Sequence, residues 1–156
     1  MSEKVQSGND PVTEWVTFKL DAEKYGIDVM RVREVLRNTE IAPVPGAPDY
    51  VLGIINLRGN VVTVIDTRKR FGLPPKDYDE STRIVIIEST DDVVGMMVDS
   101  VAEVVDLRTS AIETAPNVGN DESSKFIQGV SNLETGLLIL VDLNKLLDTK
   151  GDGVEV

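Results

Sequence analysis

Short apolar runs broken by polar turns dominate the chain, and most of them repeat with a period of two. From Trp15 the residues alternate, Val16, Phe18 and Leu20 on one face and Thr17 and Lys19 on the other, which predicts a half-buried strand. Residues 21–24 make a turn and Tyr25-Gly26-Ile27 begins the return strand. Further strands are expected at 83–88 and 94–99 around a turn at Thr90-Asp91-Asp92, at 101–107, and in two hairpins over 51–66 and 126–141. The first hairpin, VLGIINLRGNVVTVID, carries a polar corner, Asn56-Leu57-Arg58-Gly59-Asn60, with Gly59 and Asn60 as its turn residues. One stretch departs from the pattern: Val29, Val32, Val35 and Leu36 recur at helical spacing behind Asp28, a suitable N-cap, and predict a short helix over 29–37 with a broad apolar face. Prolines at 43, 45 and 48 force 41–48 into an extended crossing. Helical turns are expected at 66–71 and 143–147, with Asp66 and Asp142 as N-caps. Residues 1–13 and 148–156 read as frayed tails flanking one domain, 14–147, and 115–125 as a polar loop.

The focal hairpin occurs twice. A shift of 76 superimposes Val51 on Ile127, Gly53 on Gly129, Asn56 on Asn132, Val61 on Leu137 and Asp66 on Asp142 without a gap. A weaker echo at a shift of 69 places Tyr25-Gly26-Ile27 on Val94-Gly95-Met96 and Glu34-Val35 on Glu103-Val104. Two copies of one small unit are therefore interleaved. The symmetry breaks at Arg58, which becomes Glu134; packing favours similar residues in both copies, so the charge reversal marks a corner with a separate task. Many short strands in duplicate predict a mainly β fold, two small five-stranded antiparallel barrels side by side with short helices.

Composition narrows the chemistry. The chain of 156 residues has no cysteine and no histidine, which removes disulfides, thiolate metal sites, the commonest general base and any phosphohistidine. The net charge of −11 lies wholly beyond Pro75: ten acidic and ten basic residues precede that point, and seventeen acidic against six basic follow it. Nothing supplies a basic groove for nucleic acid, and Arg68-Lys69-Arg70 reads as a solvated helix face. No secretory signal or long apolar run is present, so no membrane insertion is expected and the cytoplasm is the expected location. Asp91-Asp92 reads as turn chemistry rather than a metal site, and the tail from Asp148 lacks the final acidic ligand of a calcium loop. No phosphate-binding or nucleophile-elbow motif occurs. A carboxylate enzyme built on Asp66 and Asp142 is the competing reading, against their simpler role as helix caps. No catalytic residue, cofactor or metal is assigned. Leu57 and Arg58 side by side in a turn offer an apolar contact and a forked donor, the mixture that protein interfaces favour.

Together, YGIDVMRVREVLR, IAPVPGAP, GIINLRGNVVTVIDTRKRFG, VVGMMVDSVAEVV and LLILVDLNKLL resemble the bacterial chemotaxis coupling proteins, the CheW family, over nearly all of residues 15–147. The resemblance implies paired SH3-like barrels and a non-enzymatic adaptor linking chemoreceptor tips to the regulatory domain of the histidine kinase CheA. Carried over by motif, the receptor-binding residues are Val29, Val32, Glu34, Val35, Gly95, Val98, Val101 and Val104, facing each other across a groove between the barrels. The kinase-binding residues are Ile41, Val44, Arg58 and Val61. Arg58 falls on the family's key arginine, which serves either the receptor contact or the kinase interface. Met96-Met97 stand where β-branched residues are frequent in the family and bear on the shape of that groove. A coupling protein of a non-chemotactic signalling array has the same fold and is the nearest rival.

Overall fold

A computed structural model describes residues 10–37, 39–88, 92–114 and 126–147. Residues 1–9 of the expected N-terminal tail, the tail at 148–156, the whole loop at 115–125 and the turn residues Thr90 and Asp91 lie outside these segments. Among the described residues, ten strands form two five-stranded sheets. One has the order β8-β1-β2-β10-β9, from β1 (Val12–Leu20), β2 (Glu23–Asp28), β8 (Ser100–Arg108), β9 (Ile127–Leu133) and β10 (Gly136–Val141), and we call it the terminal barrel. The other has the order β3-β6-β7-β5-β4, from β3 (Val32–Arg37), β4 (Val51–Leu57), β5 (Asn60–Asp66), β6 (Arg83–Glu88) and β7 (Val93–Val98), and forms the middle barrel. Helices α1 (Thr67–Arg70) and α2 (Leu143–Leu147) follow β5 and β10.

The internal repeat explains both orders. Replace β1, β2, β8, β9 and β10 by β6, β7, β3, β4 and β5, and one sheet becomes the other. Each barrel thus joins the opening hairpin of one unit to three strands of the other, so neither barrel closes without both halves of the chain. Details repeat as well. The register shift between Val32/Ile87 and Glu34/Ile86 recurs in β1/β8 between Phe18/Val101 and Val16/Val104. Asp66 and Asp142 both accept from the backbone N–H three residues on, at 3.2 Å, which makes each the cap of its helix. Each sheet contains one parallel pair, β2 with β10 and β7 with β5, in place of the wholly antiparallel pairing expected. These strands come from different hairpins, so no tight turn dictates their relative sense.

Burial follows the two-residue period on both faces of the central strands. In β6, Ile84 and Ile86 enter the interior of the middle barrel, while Val85 and Ile87 enter a core shared by the two barrels. Val16, Phe18, Leu20, Tyr25 and Ile27 reach that shared core from the terminal barrel, and Trp15 fills the terminal barrel's own interior with Leu107, Leu138 and Leu140. Each aliphatic side chain so buried contributes on the order of 1.5–3 kcal/mol. Phe18 stacks on Tyr25, Tyr25 meets Phe71 edge-on and Phe71 stacks on Phe126, at centroid distances of 5.3–5.6 Å. Thr17 is buried too, held by its hydroxyl to both backbone groups of Glu103, so β1 is not half-exposed. Burial and the carboxylates of Glu23 and Asp21 push the Tyr25 hydroxyl up to about 12. A raised folded-state value favours the neutral form, so its stabilising effect is full below the ordinary tyrosine range and lost as pH rises through 12. Stability should therefore fall between pH ~10 and ~12 in Tyr25-containing protein more steeply than in Tyr25→Phe, as denaturant titrations at each pH would record.

Three local expectations are corrected. Residues 29–37 are not a helix: a single 3-10 turn at Val29–Arg31, capped by Asp28 through Met30 N–H at 2.9 Å, leads straight into β3. β-Branched valines are poor helix formers, and a backbone ladder with β6 outcompetes their helical spacing. Val12 and Thr13 belong to β1 rather than to a tail. Arg68 and Arg70 are buried, not solvated; Arg68 binds Asp21 and Asp99, and Arg70 lies against the rings of Tyr50 and Phe126.

Candidate protein-interaction surface

The β4–β5 corner is a two-residue turn whose central residues are Arg58 and Gly59, one position earlier than the sequence suggests, both with positive φ, 53° and 90°. This is the mirror-image turn that matches strand twist. Asn56 Oδ1 holds it by accepting from Gly59 N–H at 2.9 Å. Glycine adopts such backbone freely, whereas arginine there is uncommon, and Asn or Asp would serve a plain turn better. The position points to a task for the side chain.

That side chain reaches across to β3. Arg58 Nη1 donates to Glu34 Oε1 at 3.4 Å, and Nη2 donates to Glu34 Oε2, a forked pair between guanidinium and carboxylate. The Arg58 hydrogen bond, helped by the charges of Arg58 and Arg33 against partial burial, lowers the Glu34 carboxyl below its ordinary value. The pair therefore stays ionised at neutral pH. Arg58 remains 68% exposed, so the pair orients a guanidinium toward solvent more than it stabilises the fold.

Arg58, Glu34, Leu57, Val61, Thr63 and Val93 line part of an open cleft of about 700 Å³. Val61 is 68% exposed, unusual for a valine in a strand. Ile41 and Val44 do not line this cleft. Ala42 exchanges two backbone hydrogen bonds with Ile54, at 2.8 and 2.9 Å, and so lays the proline-rich crossing along β4. Ile41 is half-buried with Leu36, Leu52 and Leu57 over the middle-barrel interior, and Val44 is exposed beyond it.

The residues expected around a groove fall into three groups. Val29, Val32 and Val101 are half-buried against the shared core. Val35 and Val104, which correspond in the repeat, are exposed. Gly95 and Val98 are buried and present nothing to a partner: a Cβ on Gly95 would lie 2.9 Å from Ile84 Cγ2, and Val98 is part of the shared core. Met96 and Met97 are buried as well and shape the interior rather than the groove. Glu34, expected on the receptor side, is bonded to Arg58 of the kinase-side set, so the two expected surfaces meet at this ion pair.

Sequence reasoning passed over the counterpart of this surface on the terminal barrel. There Glu103, equivalent to Glu34, pairs with Lys24 at 3.2 Å, and Leu137, equivalent to Val61, is exposed. The repeat itself carried the signal. Among the described residues no helix is long and apolar enough to cross a membrane.

The family model described as a CheW-like domain matches residues 14–151. The chain is 34% identical over 137 residues to the chemotaxis protein CheW of Klebsiella aerogenes, covering 88% of this chain and 82% of that one. It is 36% identical over 133 residues to the chemotaxis protein CheW of Bacillus subtilis, covering 85% of each. The crystal structure of the scaffolding protein TtCheW from Thermoanaerobacter tengcongensis superimposes with a TM-score of 0.82 at 34% identity, over 89% of this chain and 94% of that one. A duplicated pair of five-stranded barrels, an arginine set out on a hairpin corner and these matches along almost the whole length lead to one conclusion: the chain belongs to the CheW family of chemotaxis coupling and scaffold proteins.

Proposed function

We propose that this chain is a non-enzymatic cytoplasmic adaptor that couples chemoreceptor tips to the regulatory domain of the histidine kinase CheA. The observation that carries the reading is the Arg58 corner: a solvent-facing guanidinium fixed by Glu34 beside an exposed Val61, in a chain of this family. Interfaces favour that combination of a desolvable aliphatic anchor and a preorganised arginine. The kinase meets the middle barrel through Ile41, Val44, Arg58 and Val61. The receptor helix lies along the junction of the barrels, against Val29, Val32, Val35, Val101 and Val104, with apolar anchors at i, i+3 or i+4, and i+7. Val98 supports that surface from the shared core beneath it, while Gly95 faces the interior of the middle barrel.

Two surfaces can be broken separately. Val61→Asp places a carboxylate at the kinase contact and should weaken kinase binding at least about a hundredfold, since desolvating an unpaired charge costs several kcal/mol. Receptor binding by the same variant should stay within about twofold, and Val104→Asp should show the reverse pattern. Calorimetric titration of each variant with the kinase regulatory domain and with a receptor-tip fragment measures both. Equal loss of both partners in a folded variant would sink the two-surface reading.

A further inference from the structure

Beside their shared core, the barrels meet at two sets of repeat-equivalent parts, and the two joints are not alike. At the first, Nη1 of Arg68, on α1 in the middle barrel, donates to Asp21 Oδ1 in the β1–β2 turn of the terminal barrel and to Asp99 Oδ2 on the link between β7 and β8, each at 2.8 Å, while Nε donates to the Pro74 carbonyl at 2.8 Å. The acceptors are themselves fixed. Asp99 Oδ2 also accepts from Asp21 N–H at 2.8 Å, and Asp99 N–H donates to the Lys19 carbonyl at 3.1 Å. Arg68 is 8% exposed. Burial opposes its charge, but the hydrogen bonds and charges of Asp21 and Asp99 more than offset this and hold the guanidinium above its ordinary value.

At the second joint, the shift of 76 puts Asn144 of α2 where Arg68 stands. The cation is now on the linking turn: Arg31 Nη2 donates to Asn144 Oδ1 and Nη1 to the Glu88 carbonyl, both at 3.3 Å and both exposed. The spaces differ accordingly. The cavity beside Arg68 and Asp99 holds about 20 Å³, the size of one water, whereas the cleft beside Arg31 and Asn144 holds about 340 Å³. One joint is closed by an ion triad around a buried guanidinium, and at the other an exposed arginine meets only neutral acceptors.

We propose that Arg68 is a positioning residue that fixes the mutual orientation of the two barrels, and with it the alignment of the Val32 and Val101 flanks against which a receptor helix would lie. The functional half of this inference rests on the adaptor reading above; the orientational half does not. A surface composed of residues from both barrels is preorganised only if the barrels cannot rock, and a surface on one barrel is indifferent to rocking. Kinase binding, placed on the middle barrel alone, is therefore independent of Arg68, and receptor binding is not.

The chain has no cysteine, so a spin-label pair at Asn60→Cys and Thr135→Cys, on exposed corners of the two barrels, reports their separation cleanly. In the otherwise unaltered chain the distance distribution should be narrow. Arg68→Met should broaden it about twofold with the far-ultraviolet spectrum unchanged, Arg68→Lys should restore part of the narrowing, and Arg31→Ala should leave it as it was. Should Arg68→Met fail to fold, Asp21→Asn, which leaves Asp99 in place, should broaden the distribution to a smaller extent. A folded Arg68→Met or Asp21→Asn chain with the original narrow distribution overturns the inference, whatever the receptor does. With broadening established, the receptor-tip fragment should bind about tenfold more weakly and the kinase domain within about twofold of normal. Broadening with undiminished receptor binding leaves the orientational role standing and overturns the placement of the receptor between the barrels.

Discussion

Gly53→Ala should lower the melting temperature by roughly 10–15 °C, a far larger effect than a single added methyl causes at most positions. A Cβ at residue 53 would lie 2.2 Å from the Ala42 carbonyl oxygen and 2.9 Å from Ile41 Cγ2, and the residue sits at φ +150°, where side chains are strained. Ala42 cannot retreat without releasing both hydrogen bonds to Ile54. Loss of that bridge and the backbone strain together cost about 3–5 kcal/mol. The repeat provides an internal control. Gly129 faces the Glu113 carbonyl through an equivalent bridge to Val130, but its Cβ would be 2.9 Å away and no positive φ is imposed, so Gly129→Ala should cost about 1–2 kcal/mol. Thermal unfolding of both variants decides the matter; equal losses, or the larger loss at Gly129, would contradict the geometry.

The second large effect is functional. Arg58→Glu should abolish coupling between receptor and kinase while moving the melting temperature by no more than about 3 °C. The side chain is exposed, so its removal leaves no cavity. Its replacement sets two carboxylates against each other where Arg58 and Glu34 now bond, and reproduces the charge that the second repeat carries at Glu134. Glu34→Arg combined with Arg58→Glu should restore the ion pair but not the outward cation, and so should recover orientation without full coupling. A variant that unfolds would make Arg58 structural and remove the interface reading of the corner.

Much of the fold was legible because it is written twice. The shift of 76 aligned the β4–β5 hairpin with β9–β10, including Gly53 with Gly129 and the caps Asp66 and Asp142, and the structure extends the correspondence to the backbone bond from residue 66 or 142 to residue 50 or 126 and to the bridges Ala42–Ile54 and Glu113–Val130. What the sequence concealed depended on distant partners. Val29, Val32, Val35 and Leu36 fit helical spacing, and only pairing with β6, about fifty residues on, makes 32–37 a strand. Arg68 and Arg70 read as solvated because Asp21 and Asp99, or Tyr50 and Phe126, lie far along the chain. The Arg58 corner was recognisable from its charge reversal, but its bond to Glu34 was not, since β3 had been expected as a helix.

The most direct measurement is the mass of the species formed when the chain, the CheA regulatory domain and a receptor-tip fragment are mixed and followed by sedimentation velocity. An adaptor with two separate surfaces gives one particle containing all three components, and Val61→Asp reduces it to chain plus receptor alone. Displacement of one partner by the other, or a wild-type chain that is folded and binds neither, would contradict it.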